Sequence, residues 1–263
     1  KSYVIGPNCE HPYTTNRIFH ISAMSFGAIS KPAVLALSRG AKMAGCWLNT
    51  GEGGLSPYHL AGGADIVFQL GTAKYGARNP DGSLNETRLA AIAAHEQVRM
   101  FEIKLSQGAK PGKGGILPAI KVTPEIAAIR GIPAGQDSIS PNRHPEVDNA
   151  AGLLDLIATV RRITRKPVGF KAVFGDFEWL EELLQQISAR GAEHAPDFIT
   201  VDSGDGGTGA APQALLDCVG LPLRESLPVV VDLLRKYGLK QRVHVVATGK
   251  LIDPEYVAAA FCA

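Results

Sequence analysis

Short apolar runs alternate along this chain with longer stretches in which apolar residues recur every three or four positions. The runs Ile18–Ser22, Cys46–Asn49, Ile66–Leu70, Met100–Lys104, Val168–Val173, Phe198–Asp202 and Val243–Ala247 are rich in β-branched and aromatic residues, as strands buried on both faces are. Helical stretches lie between them. Ser30 is expected to cap a helix that continues to about Ala44, with Pro32 just inside it. Leu89, Ile92, Ala93 and Glu96 fall on one face of a helix over 85–98, and further helices are predicted over 124–130, 152–163, 179–190, 227–237 and 254–263.

Strands alternating with long helices make βαβ units and a parallel sheet. The predicted fold class is therefore α/β, a (β/α)8 TIM barrel with seven strands in this chain and an eighth expected past Ala263. An open doubly wound sheet is the alternative. The barrel is preferred because ligand-type residues stand at nearly every strand end, as a barrel mouth requires. Residues 1–17, with Gly6-Pro7 and His11-Pro12, read as an irregular segment, and 18–263 as one barrel domain.

Composition narrows the function. The net charge of +2 over 263 residues gives no electrostatic case for nucleic acid. The four cysteines show no metal-ligand spacing, and His20, His95, His144 and His244 show none either, so no metal site is expected. His20 and His244 read as hydrogen-bonded strand residues. Few cysteines and the lack of a long apolar stretch point to the cytoplasm. The chain starts at Lys1 and stops in mid-pattern at Phe261-Cys-Ala, so it reads as part of a longer chain, and a membrane anchor before Lys1 stays open.

The 29 glycines gather where apolar runs stop. Three loops stand out: Asn49-Thr-Gly-Glu-Gly-Gly54, Lys104-Leu-Ser-Gln-Gly-Ala-Lys-Pro-Gly-Lys-Gly-Gly115 and Asp202-Ser-Gly-Asp-Gly-Gly-Thr-Gly-Ala210. Glycine lets a flat or anionic ligand lie against backbone N–H groups. Lys171 sits inside a strand, where its charge needs a partner. That partner is either a flavin's N1–C2=O edge, which turns anionic on reduction, or an ordinary buried carboxylate. Glu52 either relays a proton or orients an amine, or is a solvated loop carboxylate. Gly249-Lys250 after the Val243–Ala247 run suits half of a phosphate site, whereas Asp253 reads as a helix N-cap. The stretch 105–150 is long for a connection, which favours function. Lys104, Lys110, Lys113, Arg130 and Arg143 lie on or beside it, and a dicarboxylate would need two such cations.

Taken together with Met24-Ser-Phe-Gly27 and Ile139-Ser-Pro141, these motifs resemble the FMN-binding domain of glutamate synthase, and more narrowly the stand-alone FMN-binding members of that family. The likeness runs from about residue 18 to the end. It implies a barrel with FMN at its C-terminal mouth and reductive amination of 2-oxoglutarate by ammonia to L-glutamate. It further implies that Met24, Ser25, Asn49, Thr50, Gln107, Lys171, Ser203, Gly206, Gly207, Gly249 and Lys250 line FMN. Glu52 and Lys104 are its catalytic candidates, and Lys104, Lys110 and Arg130 hold 2-oxoglutarate.

The family's glutaminase domain is absent from the sequence, so ammonia comes from solution or from an amidotransferase subunit; an electron-donor subunit is a further expected partner. By the same likeness, the cysteines of a 3Fe–4S centre and the last phosphate loop fall beyond Ala263. Two other readings stay open: an N-methylglutamate synthase-like, amine-transferring relative, and a non-catalytic flavin-binding scaffold.

Overall fold

The computed structural model describes residues 2–263 and divides into two compact units. The first holds the chain up to Lys104 with Gly115–Pro141 and Thr159–Val168; the second holds Leu105–Gly114, Asn142–Ala158 and Gly169–Ala263.

The first unit opens with an antiparallel pair, β1 (Tyr3–Ile5) and β2 (Tyr13–Thr15), where no regular structure was expected. Tyr13 points inward and donates to Asp65 Oδ2 at 3.0 Å, which ties the pair to the body of the unit. Helix α1 (Lys31–Ala44) starts at Ser30, whose hydroxyl accepts the Ala33 N–H, and stops at Gly45 with φ 68°, both as the sequence leads one to expect. Strand β3 (Leu48–Asn49), the single-turn helix α2 (Pro57–Leu60), β4 (Ile66–Leu70), α3 (Glu86–Ala93) and β5 (Val98–Lys104) follow. β3, β4 and β5 are parallel and adjacent in that order. Every residue of β4 is buried, in keeping with its unbroken apolar run.

The expected first strand over Ile18–Ser22 shrinks to one parallel bridge, Ile21 with Leu48. Ile18 and Phe19 are exposed, so the run lacks the burial that would extend the pairing. The helix over 85–98 ends at Ala93, because β5 already begins at Val98.

A small antiparallel pair, β6 (Ile116–Leu117) with β7 (Ser138–Ile139), frames α4 (Pro124–Arg130). Thr123 caps α4 and Gly131, φ 72°, ends it. Ile126 and Ala127 of α4 pack on Phe26, Val34, Leu117 and Val122. This apolar contact seats Arg130, the last residue of the helix.

Helix α5 (Ala150–Thr164) leads to β8 (Val168–Val173). In the second unit, α6 (Glu178–Arg190), β9 (Phe198–Asp202), α7 (Leu223–Lys236), β10 (His244–Thr248) and α8 (Pro254–Cys262) complete the order. β8, β9 and β10 are parallel and adjacent, Val173 opposite Asp202 and Asp202 opposite Thr248. β8 and β9 are buried throughout. α7 begins four residues before the sequence pattern indicates and carries Pro228 in its second turn. There the proline removes the N–H that would have bonded to the Arg224 carbonyl, as a proline inside a helix does. Asp253 caps α8 through the Tyr256 N–H at 2.8 Å.

Candidate functional site

In the first unit, polar side chains gather where β3, β4 and β5 end. Lys104 closes β5, and its ammonium donates to Glu52 Oε1 at 2.8 Å, with side chains only 11% and 16% exposed. Glu52 is tightly held. A Cβ on Gly71 would stand 2.7 Å from its Oε2, and a Cβ on Gly115 2.7 Å from its Oε1. A methyl at Gly71 would also stand 2.7 Å from Glu52 Cβ, whereas one at Gly115 would crowd only the carboxylate end.

Beneath Glu52 lies a buried network. Glu102 Oε1 accepts from Asn49 Nδ2 at 2.8 Å and from Gln69 Nε2 at 2.7 Å. Asn49 Oδ1 accepts the Gly51 N–H at 3.0 Å. Thr50 Oγ1 accepts the Gln69 N–H and donates to the Gly51 carbonyl. These bonds set the turn that delivers Glu52, with Gly51 at φ 64°. Alongside, the Met24 N–H donates to the Asn49 carbonyl at 3.0 Å, so Met24, Ser25, Asn49 and Thr50 form one connected stretch of backbone.

Arg130 is 6% exposed. Its Nη1 donates to Ser138 Oγ at 3.1 Å, that hydroxyl donates to the Tyr75 phenol at 2.7 Å, and the guanidinium lies 4.9 Å over the Tyr75 ring. Its Nε is buried without a hydrogen-bond partner. No carboxylate lies within ion-pair distance of Arg130 among the described residues. Burial holds its pKa below the usual arginine value, against the opposing pull of Tyr75 and Glu52. A guanidinium with a free N–H and no carboxylate beside it can hydrogen-bond an anion. Of the other cations on this stretch, Lys110 is buried, whereas Lys113 and Arg143 are exposed and Arg143 pairs with Asp148.

In the second unit, Lys171 is 7% exposed and lies 3.7 Å from Asp202 Oδ2. The buried-carboxylate alternative for Lys171 is thus present in the structure. Asp202 Oδ2 also accepts the Gly108 N–H at 2.9 Å, next to Gln107. Ser203 Oγ accepts the N–H of Leu223, the first residue of α7, at 2.9 Å and donates to Asp205. Asp205 in turn lies 3.7 Å from Lys250 Nζ. Gly249, φ 103°, sits where a Cβ would be 2.6 Å from Ser203 Cβ. Beyond Gly206, whose N–H donates to the Ser203 carbonyl, Gly207 and Gly209 have no atom within 4 Å of a built Cβ. The loop is therefore packed at its root and open along its crest, which suits a planar ring or an anion laid on backbone N–H groups.

Sequence reasoning missed Glu102, Gln69, Tyr75, Ser138, His59 and Asp205. Glu102 carried a readable signal, a carboxylate inside an apolar strand run. The others matter only through tertiary contacts. Among the described residues, no group of three or more His, Cys, Asp or Glu side chains is arranged to hold a metal ion, none of the four cysteines forms a disulfide, and no helix is long and apolar enough to cross a membrane.

The fold is shared with solved structures of low sequence identity. The chain superposes over 95% of its length on a flavocytochrome b2 variant with sulfite bound, covering 55% of that chain at a TM-score of 0.58 and 15% identity. A second variant, with benzoylformate, gives 0.55 at 13% identity, covering the same shares. Likeness in sequence goes further. The conserved region in glutamate synthase matches residues 3–262, and the chain belongs to the glutamate synthase family. It is 44% identical to the glutamate synthase large subunit-like protein YerD of Bacillus subtilis (strain 168), over 98% of this chain and 49% of that protein. It is 37% identical to the archaeal glutamate synthase [NADPH] of Methanocaldococcus jannaschii, over 87% of this chain and 42% of that protein. The chain spans about half the length of the curated relatives it matches.

Proposed function

We propose that this chain is an FMN-dependent oxidoreductase that reductively aminates 2-oxoglutarate to L-glutamate with ammonia. The observation that carries the reading is Arg130: a buried guanidinium with one nitrogen unpartnered and no carboxylate of its own, in the same unit as the Glu52–Lys104 pair. Family membership supports the rest.

In this reading Arg130 binds a substrate carboxylate, steadied by Ser138 and the Tyr75 ring, and Lys104 supplies further positive charge. Glu52, held between Gly71 and Gly115 and fixed by Lys104, moves a proton at the substrate nitrogen as the new carbon–nitrogen bond forms. FMN, when bound, would supply the hydride for this reduction. The overall balance is 2-oxoglutarate, ammonium, one hydride and one proton giving L-glutamate and water.

The residues present fit the cofactor. In the second unit, Lys171 offers a cation for the ring edge, and Gly206 and Gly207 form a glycine crest with Ser203, Gly249 and Lys250 near its root. Taken by itself, the first unit offers the backbone of Met24, Ser25, Asn49 and Thr50 to a flat ligand. The reading sets the protein in the cytoplasm, supplied by an electron-donor subunit, with ammonia from solution or an amidotransferase subunit.

The test is direct. The purified chain is incubated with FMN and reduced with dithionite, and its flavin absorbance is followed on adding 2-oxoglutarate with ammonia or with methylamine. Reoxidation with formation of glutamate is the expected result. Reoxidation with methylamine alone would make it an N-alkylglutamate synthase, and flavin uptake without turnover a scaffold.

A further inference from the structure

His59 is fully buried on α2, and its bonds leave it only one protonation state. Nε2 lies 2.8 Å from the Met24 carbonyl, which can only accept. Nδ1 faces the Ser56 N–H at 3.2 Å, which can only donate, and the Ser56 hydroxyl at 2.7 Å. The ring must therefore be neutral, with its hydrogen on Nε2. Burial also holds its pKa below the usual histidine value of 6.5, so it stays neutral at pH 7.

This arrangement fixes a peptide. Met24 uses its N–H on the Asn49 carbonyl and its carbonyl on His59. A trans peptide points its C=O and the following N–H in opposite directions, so the Ser25 N–H is turned away from His59. It donates to no acceptor among the described residues, although Ser25 is half-buried. Gly51 keeps side chains out of the space beside it, since a Cβ there would stand 2.8 Å from the Ser25 nitrogen. With no acceptor among the described residues, this N–H is open to an acceptor atom on a ligand.

We propose that His59 is a positioning residue for the cofactor: it clamps the Met24–Ser25 peptide so that the Ser25 N–H is presented to an acceptor atom of the isoalloxazine ring. This rests on the flavin reading given above. The same clamp explains why a histidine is buried on a helix of one turn, where it serves neither a metal nor an ion pair.

The experiment uses the 15N-labelled purified chain titrated with FMN. Free of ligand, His59 is expected as the neutral Nε2–H tautomer, and a ring protonated at Nδ1 at pH 7 would overturn the clamp. On addition of FMN the Ser25 amide signal should shift in the wild type and in His59→Gln, whose amide can repeat the bond to Met24. In His59→Phe that shift should be lost and FMN binding weakened about tenfold, the worth of one hydrogen bond. FMN bound by the wild type with an unmoved Ser25 amide overturns the positioning role alone, as does a folded His59→Phe that matches the wild type. Failure of the wild type to take up FMN removes the flavin reading and this assignment with it.

Discussion

Lys104 and Glu52 meet at 2.8 Å, joining the end of a buried strand to a glycine turn half a hundred residues earlier in the chain. Lys104→Met should destabilise the protein by about 3 kcal/mol, since removing one partner leaves the other charge desolvated. Adding Glu52→Gln to the same protein should recover most of that loss. Urea unfolding of the two variants checks this, and equal loss in the single and double variants would mean that the pair is not coupled.

Gly71→Ala should displace Glu52, because the new methyl would stand 2.7 Å from its carboxylate and Cβ. A stability loss of about 1–3 kcal/mol is expected for such overpacking, together with loss of turnover. Gly209→Ala is the control. Nothing lies within 4 Å of its Cβ position, and its stability should stay within about 0.5 kcal/mol of wild type.

Arg130→Lys keeps the charge and removes the fork. A carboxylate bound by two guanidinium hydrogen bonds loses about 1.5–3 kcal/mol when they go. The KM for 2-oxoglutarate should rise at least about tenfold, with little change in flavin content. A KM equal to wild type would return Arg130 to a purely structural role.

Lys171→Met should lower the flavin potential, because the cation stabilises the reduced, anionic ring. About 30 mV for each 1.4 kcal/mol of lost stabilisation is the scale for a two-electron couple. Spectroelectrochemical titration measures it. Asp202, 3.7 Å away in the same unit, is the residue left unbalanced, so a stability loss without a potential shift would mark the pair as structural.

His20 gives a pH signature. Its ring stacks on Trp47 with centroids 3.2 Å apart, and Nδ1 accepts the Trp47 N–H. Burial brings its pKa down to about 4 from an ordinary 6.5, with the Arg17 carbonyl opposing the shift. The folded state resists the proton, so this stability is complete above pH 6.5 and is lost as pH falls from 6.5 toward 4. The loss amounts to about 2–3 kcal/mol. In His20→Asn, unfolding free energies measured between pH 7 and pH 4 should fall less steeply than in wild type.

Much of the fold was legible because burial on both faces leaves a one-dimensional mark. Ile66–Leu70, Val168–Val173 and Phe198–Asp202 are strands at the residues where the apolar runs lie. Ser30 and Asp253 cap helices as their neighbours suggest, because capping is a contact between residues three apart. Ile18–Ser22 misled for the same reason, since a run of apolar residues does not record whether a neighbour covers it.

Composition and spacing alone also determined where polar groups had to collect: at the ends of apolar runs, on glycines, beside Lys104 and Lys171. They could not say what each charge meets. That Glu52 fills the hollow of Gly71 and Gly115, that Arg130 ends without a carboxylate, and that His59 grips the Met24 carbonyl are relations between residues tens of positions apart. Packing decides such contacts, because an ångström of backbone approach separates a hydrogen bond from a collision, and no local pattern in the chain encodes that distance.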